Sequence, residues 1–154
     1  DLANLILGIQ KALKNYDSLK NLFLKLYNED EVNIMAPLNF FSNSITNNKI
    51  YYLLPNISKN STAKRLNMYL RWMVRKDDID LGIWGDKVSP SKLIMPVDTH
   101  IYRISQKLGL VNRKSCDMKY AIKLTETLKD FDANDPVKYD FAPCHLGIDK
   151  SYEF

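Results

Sequence analysis

Met95-Pro96-Val97-Asp98-Thr99-His100-Ile101-Tyr102-Arg103-Ile104-Ser105-Gln106-Lys107-Leu108-Gly109 carries the marks of a whole helix, start and finish included. Asp98 has the short acceptor side chain that caps a helix start, where the first backbone N–H groups lack partners. Ile101, Ile104 and Leu108 follow as one apolar stripe at helical spacing. Gly109 suits the left-handed residue just past a helix end.

Neighbouring segments repeat the pattern. Leu2, Leu5, Ile6, Ile9 and Leu13 share a stripe, and Ser18 can cap a second helix carrying Leu19, Leu22, Phe23 and Leu26. Phe40, Phe41 and Ile45 predict a short helix between Pro37 and Lys49, ended by Thr46-Asn47-Asn48. The run Ile50–Leu54 allows a short strand, but Pro55 stops it, and a helical end or turn is the better reading. Ser61 or Thr62 can cap a helix over residues 63–75, with Leu66, Tyr69, Leu70 and Met73 turned inward and Lys64, Arg71 and Arg75 on other faces. Gly82, Gly85, Pro90 and Pro96 make residues 77–96 a long connection, with one helical turn after Ser89. Ser115 or Asp117 starts a further helix through Leu128. Asp135-Pro136 starts the last, carrying Val137, Phe141 and Cys144-His145-Leu146 and ending at Gly147. The expected fold class is therefore all-α. It is a single helical domain over residues 1–154, which two small lobes sharing a core would also fit, with a hairpin region near residues 55–75.

Composition narrows the function. Hydrophobic residues make up 45% and charged residues 26%, a globular balance. No apolar run reaches the roughly 20 residues that span a bilayer. The charged, helical opening from Leu2 to Leu26 does not read as a secretory signal, which favours an intracellular place, cytoplasm or nucleoid. Asp1 is not an initiator, so the chain reads as trimmed from something longer. Cys116 and Cys144 are too few for a disulfide framework or a four-cysteine cluster, and His100 and His145 lack metal spacing. No metal and no cofactor is expected. Net charge is +4 with a pI near 8.9, and the charge is clustered. Residues 64–76 hold Lys64, Arg65, Arg71, Arg75 and Lys76 without an acid, and residues 103–114 add Arg103, Lys107, Arg113 and Lys114, again without one. Such stretches suit a polyanionic partner.

Lys64 and Asp98 carry the candidate chemistry. A neutral lysine amine attacks a sugar carbon and forms a Schiff base, but lysine's ordinary pKa of about 10.4 keeps it protonated at neutral pH. A cationic neighbour such as Arg65, a helix start and partial burial all work against the charged form. Breaking a glycosidic bond builds positive charge on the sugar, which a carboxylate held beneath it stabilises while relaying the lysine's proton. The bland alternatives are a solvated helix-start lysine and a plain N-cap. Helix starts also offer N–H groups to phosphate, so Lys59, Ser61, Thr62, Arg65, Arg71 and Arg75 are candidate DNA contacts. A flipped base needs an aromatic or apolar slot, for which Trp72, Trp84, Tyr102, Tyr139 and Phe141 are available.

Pro96-Val97-Asp98-Thr99-His100, followed by Arg103 and Leu108-Gly109-Leu110, resembles the segment that carries the catalytic aspartate in the helix-hairpin-helix DNA glycosylase superfamily. Lys64, placed in Ser61-Thr62-Ala63-Lys64, is similar to the lysine of the bifunctional members, and its separation from Asp98 is more like that of the archaeal 8-oxoguanine glycosylases than of endonuclease III. The likeness covers residues 18–147. It is strongest to a family of uncharacterised function in that superfamily, through the stretches Lys64–Met68, Arg71–Arg75 and Asp135–Phe141. The resemblance implies a helix-hairpin-helix glycosylase-like domain, shortened at its N-terminus. Its activity would be removal of oxidised bases such as 8-oxoguanine from double-stranded DNA, then β-elimination at the abasic site. Lys64 and Asp98 would be the catalytic residues, His100 and Arg103 further DNA contacts, and Trp72, Tyr139 and Phe141 the base pocket. Leu54-Pro55-Asn56-Ile57-Ser58 stands where the superfamily has Leu-Pro-Gly-Val-Gly, without either glycine. The alternative is a non-catalytic DNA-binding module on the same fold.

Overall fold

The structure is a computed structural model, and it describes residues 2–46, 53–54 and 57–140. Among them are the helices α1 (Leu2–Tyr16), α2 (Leu19–Leu24), α3 (Met35–Thr46), α4 (Lys64–Val74), α5 (Thr99–Lys107) and α6 (Met118–Lys129), with 3-10 turns at Ile57–Lys59, Gly85–Lys87, Pro90–Lys92 and Pro136–Asp140. No strand occurs among the described residues; Lys76 and Leu81 form an isolated antiparallel bridge. The all-α class is what the helical periodicities dictate.

Local chemistry sets the helix ends. Ser18 accepts from the Asn21 N–H at the start of α2. Asp98 accepts from the His100 and Ile101 N–H groups at the start of α5. Asp117 accepts from Tyr120 N–H at the start of α6. Gly109 takes a φ of 68° after α5, as its place requires. At α4 the expected side-chain cap is absent. Ala63 is the N-cap, left-handed at φ 49°, and Ser61 Oγ instead accepts from the Ala63 N–H.

Packing corrects three stripes. On α1 the buried positions are Gly8 and Ala12, while Leu2, Ile6 and Leu13 are exposed. The reason is closeness: a Cβ at Gly8 would lie 1.9 Å from the Ile45 carbonyl oxygen, so α3 sits directly on the α1 backbone. On α2 Leu22 and Phe23 are buried, but Leu26, past the helix end, is exposed. On α5 Ile101 is buried, yet Leu108, the residue that caps the helix end, is exposed. The apolar run Leu93-Ile94-Met95-Pro96-Val97 is buried throughout and threads the core into α5. Met95 N–H donates to Thr125 Oγ1 on α6 at 2.9 Å, which satisfies a backbone donor that no helix serves. Ser105, Tyr120 and Gln106 then join α5 to α6 by hydrogen bonds. This threaded run fixes the position of Asp98. The last expected helix is a 3-10 turn over Pro136–Asp140, and Phe141, Cys144, His145 and Gly147 lie outside the described residues, as do Asn47 to Tyr52, Pro55 and Asn56.

Candidate functional site

Two helix starts meet at one ion pair. Lys64 is the first residue of α4 and Asp98 is the N-cap of α5, 34 residues later. Lys64 Nζ donates to Asp98 Oδ2 at 2.7 Å. The two side chains are 41% and 23% exposed, so solvent, and hence a ligand, reaches the pair. Asp98 uses its oxygens separately: Oδ1 takes both capping N–H groups and Oδ2 takes the lysine. Burial pushes the Asp98 carboxyl up, but the Lys64 hydrogen bond and the Ile101 and His100 N–H groups together hold it below the usual carboxylate range. The carboxylate is thus fixed in place and ionised.

The loop leading to Lys64 is held by α6. Asn60 is left-handed at φ 67°. Its carbonyl accepts from Met118 N–H, and its side-chain amide donates to Asp117 Oδ2. Asp117 is itself gripped by Arg113. Asn67, one turn beyond Lys64, donates to the Thr62 carbonyl at 2.9 Å and ties the loop to α4. Asn60 and Ala63 both take left-handed conformations that glycine adopts more readily. Asparagine tolerates that region through its short polar side chain; alanine does so at some strain.

The expected DNA contacts divide. Lys59, Arg65, His100 and Arg103 are exposed around the ion pair's two helices, with Ser61 and Thr62 half-buried between them. Arg65 donates to the Leu53 carbonyl. Arg71 and Arg75 are corrections: they are 2% and 4% exposed and face no solvent. Arg71 binds Asp80 and Asp140, while Arg75 binds Asp80, Asp135 and Asp77. A buried guanidinium needs such partners, and these carboxylates come from segments that the helical pattern of α4 does not reveal. They tie the loop after α4 and the Pro136–Asp140 turn to that helix.

The candidate rings take different surroundings. Trp84 is buried, packed 5.4 Å from Phe23 and 5.9 Å from Tyr69 between ring centroids. Tyr102 packs edgewise on Tyr120 and donates to the Lys114 carbonyl. Tyr139 leans on Phe131 with the Lys138 ammonium 5.1 Å from its ring. Trp72 is exposed, eight residues and so about 12 Å along the axis from Lys64. Phe141 is outside the described residues.

Two further groups lie in the field of the pair: Cys116, which the sequence reading gives no chemical role, and Asp140, which it does not single out. Cys116 lies in the field of Asp98, and burial, with the Asp117 and Asp98 charges, pushes its thiol up, away from nucleophilic use. Asp140 is treated below. Among the described residues no group of three His, Cys, Asp or Glu is arranged to hold a metal, and no helix is long and apolar enough to cross a membrane.

The carboxylates make acid stability testable. Asp77, Asp98 and Asp117 are each held below the ordinary range in the fold. Their contribution is complete above the unfolded value of about 3.9 and is lost as pH falls through the lower folded values. The melting temperature should hold down to about pH 4 and fall steeply below it, less so in Asp98→Asn. A melting temperature indifferent to pH across that range would contradict the ion-pair assignments.

Neither a curated protein nor a solved structure matches the chain. The family model described as "Protein of unknown function (DUF2400)" matches residues 1–149, almost the full length, and the chain belongs to that family.

Proposed function

We propose that this protein is a DNA glycosylase with abasic-site lyase activity, of the helix-hairpin-helix kind, acting on oxidised bases such as 8-oxoguanine in double-stranded DNA. The observation that carries the reading is the 2.7 Å contact between the Lys64 amine and the Asp98 carboxylate, both solvent-reachable at the meeting of two helix starts. In this reading Lys64 sheds its proton and attacks C1′ of the damaged nucleotide. The base leaves, a Schiff base forms, and β-elimination cuts the strand. Asp98 stays ionised beneath the sugar and opposes the positive charge that builds there. Lys59, Ser61, Thr62, Arg65, His100 and Arg103, on the two segments that carry the pair, would supply phosphate-binding groups, and the N-termini of α4 and α5 would add backbone donors.

The test is base release and strand nicking on duplexes containing 8-oxoguanine or an abasic site. Wild type should nick the abasic duplex. Lys64→Ala should lose nicking, and Asp98→Asn should slow base release by about 100-fold or more, the scale of losing one electrostatic stabiliser. No nicking by wild type, with salt-sensitive duplex binding retained, would replace this reading with a non-catalytic DNA-binding module.

A further inference from the structure

Lys64, Asn67, Arg71 and Arg75 stand at helical spacing along one face of α4. Only Lys64 reaches solvent; Asn67, Arg71 and Arg75 are buried. This file of polar groups runs from the ion pair into the protein, and its buried Arg71 pairs with two carboxylates, Asp80 through Nε and Asp140 through Nη1. Asp140 is 5% exposed. Between the two ends sits Asn67, whose Oδ1 is buried and accepts no hydrogen bond among the described residues. The interior here is polar, where an α-helix face this deep is normally apolar.

We propose that Asp140 holds the proton that Lys64 sheds, so that Asp98 remains ionised. The proposal rests on the lyase reading. A lysine that attacks a sugar must lose its proton, and Asp98 is poorly suited to keep it: three donors converge on that carboxylate, and its negative charge is needed beneath the sugar. In the transfer the Lys64 ammonium becomes a neutral amine and the Asp140 carboxylate a carboxylic acid, with no change in net charge. Asp140 suits the role. Burial pushes its carboxyl up, against the pull of Arg71 and Lys64, while the Asp98 charge pushes it further up. It therefore lies in the field of both members of the pair. Two carboxyls whose surroundings drive their proton affinities apart are the usual sign of divided acid–base roles. The charged groups around Asp140 are Arg71 on α4, Lys64 at its start and Asp98 at the start of α5; Asp80, Arg75, Asp135 and Asp77 continue the network behind Arg71. Asp140 touches no substrate in this scheme and acts through Lys64, as a positioning residue.

Two measurements test it. The first needs no activity: carboxyl carbon NMR titration of the free protein. Asp140 should titrate above the usual carboxylate range, higher still in Lys64→Met and lower in Asp98→Asn. An Asp140 midpoint unmoved by both substitutions overturns the proposal and leaves the lyase reading standing. The second is borohydride trapping on an abasic duplex from about pH 5 to about pH 9, where the acid limb reports the essential base. Asp140→Asn should move that limb up by about one unit, a tenfold loss at a given pH on the limb, and converge with wild type at high pH. Asp140→Glu should restore the profile. An unchanged profile, or a loss equal at every pH, overturns the proposal. No adduct from wild type overturns the lyase reading and this proposal together. If Asp140→Asn does not fold, the titration of wild type against Lys64→Met decides.

Discussion

Asp80→Ala is expected to destabilise the protein by about 3–5 kcal/mol, the scale of leaving buried charge unpaired. Asp80 has no exposed side-chain surface and serves both buried guanidiniums, Arg71 at 3.0 Å and Arg75 alongside. Truncating it takes one buried carboxylate from Arg71, which keeps Asp140, and leaves Arg75 with Asp135 and Asp77, both partly solvated. With total stabilities of about 5–15 kcal/mol for domains of this kind, the loss is a large share. It should lower the melting temperature on the order of 10 °C. Thermal and urea unfolding give the number. A loss under about 1 kcal/mol, ordinary for a surface ion pair, would mean that these arginines reach water.

Gly8→Ala is the second large effect, and its sign carries the information. In an exposed helix this change stabilises by about 1 kcal/mol, because alanine is the better helix former. Here the added Cβ would meet Ile45 O at 1.9 Å and Ile45 C at 2.9 Å, both backbone atoms that no rotamer change can move. α1 and α3 must separate, opening the contacts around Ala12, Phe41 and Ile45. A net destabilisation of about 1–3 kcal/mol is expected, as for other overpacked cores. Stabilisation in urea unfolding would show that α1 does not lie against α3 in this way.

The same contact explains what the sequence conceals. Capping is local chemistry, so Ser18, Asp98 and Asp117 announced their helices, and Gly109 its C-terminus. Burial is not local. Periodicity put Ile6 and Leu13 inside because they are large and apolar; the close approach of α3 selects Gly8 and Ala12, which periodicity ignores. For Arg71 and Arg75 a cationic run was read as a solvated or phosphate-binding face, whereas Asp135 and Asp140, some 60 to 69 residues away, draw both inward. Trp84 went the same way, into the core, and Tyr102 lies half-buried against it, since a ring in the sequence looks alike wherever it points. Lys64 and Asp98 were singled out by family likeness together with their chemistry, and the structure brings their side chains into contact through the buried run Leu93–Val97. Asp140 gave no sign in the sequence: its significance comes from Arg71, two turns along α4 from the candidate nucleophile.

Covalent trapping tests the central claim most directly. Wild-type protein is mixed with an abasic-site duplex and borohydride, and the adduct is resolved on a denaturing gel and mapped by mass spectrometry. The account predicts one protein–DNA adduct attached at Lys64 and none from Lys64→Ala. An adduct of undiminished yield from Lys64→Ala, or attachment at another lysine, would contradict it.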